Sequence, residues 1–179
     1  MCGALLPTGR VFDRINGVDC TLIDNGMPIV VMRAEVFGLT GHENRDLLDN
    51  DTALKTRIEA IRLQAGPMMK LGDVSDSSVP KMTLVSAPTH GGTISTRSFI
   101  PHRCHAGIGV FAALSAATAC TLIGSPANTL AVLPADGRFV IEHPTGTTEV
   151  LIETDAAGQI ISAGTIRTAR KLMEGLVFT

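Results

Sequence analysis

PHRCHAGIGVFAALSAATACT, residues 101–121, sets two histidines, an arginine and a cysteine against a glycine pair and then an apolar run. From Val110 to Leu122 the run is apolar on nearly every face, which predicts a buried helix rather than an amphipathic surface one. Gly124-Ser125-Pro126 ends it. Gly107 and Gly109 flank the helix start and let a ligand approach the backbone closely. The first helical turn adds unpaired N–H groups and the positive end of the helix dipole. His102, Arg103 and His105 bring further donors and charge. Two readings follow: a carboxylate or phosphate cradle at the helix mouth, or a tight strand-to-helix turn with solvated polar side chains. Cys104 is either an acid/base or nucleophilic thiol, its pKa lowered by the helix start and its cationic neighbours, or a structural cysteine. His102 and His105 form an i, i+3 pair without further ligands at suitable spacing, so no metal site is expected.

Outward from this stretch, the pattern is one of strands. Val18–Ile23 and Pro28–Ala34 are β-branched runs separated by Asp24-Asn25-Gly26-Met27, where Asn-Gly is a strong turn signal. The Asn25 amide is first of all part of that turn, and presented there it is also a donor for a carboxylate. Between His42 and Leu71, apolar residues recur at helical spacing among charges, with Asp51 or Thr52 as the N-cap. Gly66-Pro67 should end or kink this helix. Residues 72–80 read as a polar loop. Lys81–Ala87, Thr93–Ile100, Phe139–His143, Glu149–Thr154 and Gln159–Arg167 read as strands, the last three joined by the turns HPTG and DAAG. Arg167–Gly175 suits a short helix or a strand extension. The expected fold class is α+β: one domain, with an antiparallel sheet curled around a wholly apolar helix and a charged helical pair outside.

Composition excludes several functions. The 179 residues carry a net charge of −2 with no Trp or Tyr and no basic block, which argues against a nucleic-acid surface. Mean hydropathy is +0.28, yet no apolar run reaches the roughly 18 residues of a membrane span. Cys2, Cys20, Cys104 and Cys120 show no CxxC spacing, and MCGALLPTGR lacks the features of a signal peptide. Reduced thiols in the cytoplasm are therefore expected. Sites built on GxSxG, the P-loop or the Rossmann fingerprint are absent from the sequence. The opening CGALLPTG has no ordering signal and reads like the interior of a longer protein.

Taken together, GALLPTGR, TLIDNGMP, ALKTRIEAIRLQAG, VPKMTLVSAP, RSFIPHRCHAGIG, EHPTG and RTARKLMEG resemble the PrpF-type isomerases, almost end to end but over the C-terminal half of such enzymes. The resemblance implies a diaminopimelate epimerase-like fold, in which two lobes, each a β-barrel-like sheet around a central helix, face each other across a cleft. It implies a cofactor-free 1,3-proton shift on an unsaturated di- or tricarboxylate such as 4-oxalomesaconate, with the substrate carboxylates at the mouths of the two central helices. By the same resemblance, Ala106-Gly107-Ile108-Gly109 is the helix-mouth motif of this lobe. Asn25 to Pro28 matches an Asn-Pro turn bordering the cleft, here interrupted by Gly26-Met27. Ala106 stands where epimerases carry a second catalytic cysteine, and the expected Lys and Cys bases belong to the N-terminal lobe. The implied substrate-binding set is Asn25, His102, Arg103, His105, Gly107, Ile108 and Gly109, with Cys104 the one catalytic candidate in this half. The implied partner is that other lobe or, for a non-catalytic lobe, a second copy of this chain.

Overall fold

The computed structural model describes residues 1–155, 160–165 and 170–176. Eight strands form one sheet whose spatial order follows the chain: β1 (Asp13–Ile15), β2 (Val18–Asp24), β3 (Pro28–Arg33), β4 (Lys81–Ser86), β5 (Ile94–Phe99), β6 (Arg138–His143), β7 (Gly146–Thr154) and β8 (Ile160–Thr165). Three helices accompany them: α1 (Arg45–Asn50), α2 (Thr52–Met68) and α3 (Val110–Thr121).

The sheet is mixed, which corrects the expectation of an antiparallel one. β3 runs parallel to β4 and β5 parallel to β6, while the other neighbours are antiparallel. The cause lies in the connections. A helical crossover returns the chain to the end of the sheet where it began, so the next strand runs parallel. α1 and α2 make that crossover between β3 and β4, and α3 makes it between β5 and β6.

β3 shows why its sequence is an unbroken apolar run. Val30 and Met32 pack on one face of the sheet with Leu48, Ile58 and Ile61, whereas Ile29 and Val31 pack on the other with the alanines of α3. A strand covered on both faces has no water-facing positions to alternate with. α3 touches β2, β3, β6, β7 and β8, and Ala113, Ala117, Ala119 and Cys120 on it are wholly buried. Small residues let it approach the sheet on several sides.

Asp51 caps α2 by accepting from the Leu54 N–H at 2.8 Å, and Asn44 does the same for α1 from Leu47 at 2.9 Å. Pro67 falls in the last turn of α2, which ends one residue later. The loop 72–80 is tied to this helix by Arg62, which is fully buried, pairs with Glu59 at 2.7 Å and donates to the Ser77 and Val79 carbonyls. Residues 170–176 are neither helix nor strand, unlike the expectation for Arg167–Gly175, whose residues 167–169 lie outside the described ones. The DAAG turn and Gln159 also lie largely outside them. No helix among the described residues is long and apolar enough to cross a membrane.

Candidate functional site

The site is built by the unit β5–α3–β6. The two parallel strands pair only at Ile94↔Ile141 and Ser95↔Glu142. Beyond that point β5 stays with β4 as far as Phe99, while β6 turns back into β7 across Pro144 and Thr145. The parting strands open a cavity of about 430 Å³, lined by His42, His90, Arg97, Glu142, His143 and Thr147 among others. It lies where the carboxyl end of β6 meets the first residues of β5 and the loop that precedes them.

The mouth of α3 is uncapped. Gly109 is the N-cap, extended at φ −65° and ψ 145°, and has no side chain to cap the helix start. The first helical N–H groups have no carbonyl a turn earlier to bond. A Cβ on Gly109 would meet nothing within 4 Å. Gly107 N–H donates to His105 Nδ1 at 3.1 Å, and Thr145 Oγ1 donates to the Ala106 carbonyl at 2.9 Å. The β6–β7 turn is thereby fastened to the mouth. His143 stands between mouth and cavity: a Cβ on Gly107 would lie 3.6 Å from its Cε1. Burial, with a smaller contribution from nearby Arg97 and His105, holds the His143 pKa below its ordinary 6.5 despite backbone hydrogen bonds to Thr147 and Ala106 that favour the charged ring. The ring is a neutral donor and acceptor at neutral pH.

Glu142 is buried within β6, and its carboxylate gathers the loop 88–92. Oε1 accepts from the His90 and Gly92 N–H groups at 2.7 and 2.9 Å, and Oε2 from Thr89 N–H at 2.9 Å. Burial pushes its pKa up, but these amide donors outweigh it and the net value falls below 4.5.

Of the residues singled out from the sequence, the structure brings His105, Gly107 and Gly109 together at the mouth. Ile108 is buried among the α3 core residues and anchors the loop between them. His102 and Arg103 turn the other way: His102 Nδ1 lies 3.6 Å from Glu59 on α2, and Arg103 Nε 4.0 Å from Asp49 on α1. The Asn25 side chain donates to Thr118 Oγ1 at 2.9 Å and its backbone N–H to Ser115 Oγ at 3.0 Å. It braces the flank of α3 rather than its end.

Of the two readings of Cys104, the structure fits the structural cysteine. Its side chain is 1 % exposed and belongs to the core on the α2 face of the sheet, not the α3 face. Its thiol is pushed up to about 11, by burial first and by Asp49 second, with Arg97 and Arg45 opposing. The helix begins several residues later, so the dipole that was expected to lower this pKa does not point at the sulfur. Among the described residues no group of His, Cys, Asp and Glu is arranged to hold a metal ion.

The cavity residues His42, His90, Arg97, Glu142, His143 and Thr147 were all missed in the sequence. The one signal for Arg97 was ISTRSF, four polar residues inside a strand, whose burial at all six positions only the fold shows. A buried arginine in such a run marks either an ion pair or a ligand.

The whole chain, residues 1–179, matches the family model described as PrpF protein. It is 57 % identical over 179 residues to a (4E)-oxalomesaconate Delta-isomerase of Novosphingobium sp. strain KA1, covering 99 % of this chain and 50 % of that protein. It is 56 % identical over 180 residues to a 4-oxalomesaconate tautomerase of Pseudomonas putida, covering 98 % and 49 %. A 2-methyl-aconitate isomerase of Shewanella oneidensis is 28 % identical over 200 residues, with 98 % and 50 % covered. The chain thus spans about half the length of the curated relatives it matches. The crystal structure of a methylitaconate-delta-isomerase shares the fold, with a TM-score of 0.89 at 23 % identity over 98 % of this chain and 51 % of that one.

Proposed function

The chain belongs to the PrpF protein family, and from that premise we propose that it supplies the C-terminal lobe of a cofactor-independent isomerase acting on an unsaturated tricarboxylate of the 4-oxalomesaconate kind. The observation that carries this reading is the glycine-lined mouth of α3, with His143 standing between it and the cavity that the buried Arg97 lines. Such an acid is polyanionic, and amide donors at a helix start suit its carboxylates. Removing a proton alpha to a carbonyl leaves an enolate. The charge that develops on its oxygen is stabilised by donors already aimed there, more in the transition state than in the ground state. In this reading the lobe is diaminopimelate epimerase-like, with the sheet curled around α3. Gly107, Ile108, Gly109 and His105 frame the substrate end, and Asn25 holds α3 in place. The general base comes from the other lobe, because Cys104 is buried on the far face of the sheet.

The relatives' names support the substrate class, and their length supports the need for a second lobe. The experiment is complementation. The 179-residue chain is co-expressed with the N-terminal half of the Pseudomonas relative, and keto–enol conversion of 4-oxalomesaconate is followed by its ultraviolet absorbance. Activity from the purified pair and from neither half alone is expected. A pair that assembles and leaves the acid unchanged would overturn the reading.

A further inference from the structure

We propose that the cavity between the parting ends of β5 and β6 is itself a carboxylate-binding site, with Arg97 as its cation. For the identity of the acid, a di- or tricarboxylate whose other end lies at the mouth of α3, the inference rests on the reading above. The site stands on separate observations.

Arg97 is 6 % exposed and lines the cavity. A buried charge is ordinarily paired with an opposite one. Among the described residues, no carboxylate oxygen lies within 4.0 Å of the Arg97 guanidinium. Its hydrogen bonds go to neutral acceptors: Nε to the Glu43 carbonyl at 2.7 Å, and Nη1 to the Thr96 carbonyl at 2.9 Å and Ser95 Oγ at 3.4 Å. Cys104, Glu43 and Glu142 act on it only through space. Both oxygens of Glu142 are already taken by backbone amides, and those of Glu43 by Thr40 and Gly41.

Arg62 shows what a purely structural arginine in this protein looks like. It is equally hidden, but Glu59 meets it with both oxygens, at 2.7 and 2.8 Å. Arg97 has the burial without the counter-ion, and open space beside it. The remaining walls are polar: the imidazoles of His42, His90 and His143 line them, and Thr147 lies on the opposite strand. The Glu142 carboxylate borders the same cavity, its charge shared among three amide N–H groups and His90 Nδ1 at 3.7 Å. A bidentate guanidinium–carboxylate contact there would supply the missing counter-charge.

The test is calorimetric titration of the 179-residue chain with trans-aconitate, an unsaturated tricarboxylate. Arg97→Gln is expected to weaken binding by about tenfold or more, and Arg97→Lys to retain part of it, as for loss and partial retention of a charge-assisted pair. Gly109→Asp places a carboxylate at the helix mouth in a conformation suited to an N-cap, and reports on that end separately. Loss in Gly109→Asp with no change in Arg97→Gln overturns this inference and leaves the mouth of α3 as the anion site. Loss in Arg97→Gln with none in Gly109→Asp sustains the cavity and removes the helix mouth from the functional reading. Should Arg97→Gln fail to fold, the histidine ring resonances of the wild-type chain decide. Trans-aconitate at saturation should shift His143 and His90 and leave His102, against α2, in place. Unmoved His143 and His90 signals, or no binding up to about 10 mM, overturn the proposal.

Discussion

Glu142 is the residue on which the cavity's rim depends, since one carboxylate holds the backbone of Thr89, His90 and Gly92 at once. Glu142→Gln keeps the shape but turns an amide N–H₂ toward backbone N–H groups. A cost of about 1–3 kcal/mol is expected, as for buried donors left unsatisfied, measured by urea denaturation at neutral pH. The pH dependence has a definite sign. The folded pKa lies below the ordinary 4.5, so the native state binds the proton less tightly than the unfolded chain. The contribution is therefore fully present above pH 4.5 and is lost as the pH falls through the folded value. The stability gap between wild type and Glu142→Gln should close over that acid range; a gap constant with pH would show that the charge is not what holds the loop. At this same scale Cys104 marks the limit of reading residues by their neighbours in the chain. Its neighbours His102, Arg103 and His105 are exposed, whereas Cys104 itself is buried in the core.

At the scale of the element, α3 tolerates little. Ala117 is wholly buried against the β-branched residues of β3 and its neighbours. Ala117→Leu adds three carbons where the helix and sheet meet, and a loss of about 1–3 kcal/mol or more is expected from overpacking, read as a lower urea midpoint. Stability equal to wild type would mean that α3 is held more loosely than its burial indicates. Much at this level was legible. The all-apolar run predicted a hidden helix at Val110–Leu122, and Val110–Thr121 is one. Asp51 or Thr52 was expected as the cap of α2, and Asp51 caps it. Strand direction was misread, because hydrophobic pattern reports which face of a strand is buried and says nothing about which way its neighbour runs. The crossover helices themselves held that information. β5 was recognised as a strand, but its polar residues were not recognised as buried, since their partners (Thr83, Glu43 and the Glu142 carbonyl) come from distant parts of the chain.

For the whole molecule, the open question is which surface meets a partner. Phe111 is 57 % exposed in the first turn of α3, and Ile123, Val132 and Leu133 are exposed as well. Phe111 lies at the proposed substrate end and the other three follow the far end of α3, and exposed apolar side chains of this kind suit a face that another lobe covers. In the alternative, a non-catalytic lobe, a second copy covers that face instead. Sedimentation velocity across a hundredfold concentration range (about 1–100 μM) separates the two. The isomerase reading expects that adding the N-terminal half of a relative yields a one-to-one complex in place of any self-association; a stable homodimer that ignores that half would favour the alternative.

Sequence alone determined the class of fold, the buried helix, most strand positions, the helix-mouth glycines and the family resemblance. All of these are local: they depend on periodicity, on turn residues, or on the order of motifs along one chain. Tertiary structure decided which groups share a space. It placed Cys104 on the far face of the sheet from α3, turned His102 and Arg103 toward α1 and α2, and set Arg97 and His143 around one cavity. Burial and the absence of a counter-ion are properties of how segments some fifty residues apart are packed together, and that packing is what turns an arginine in a strand into a candidate anion site.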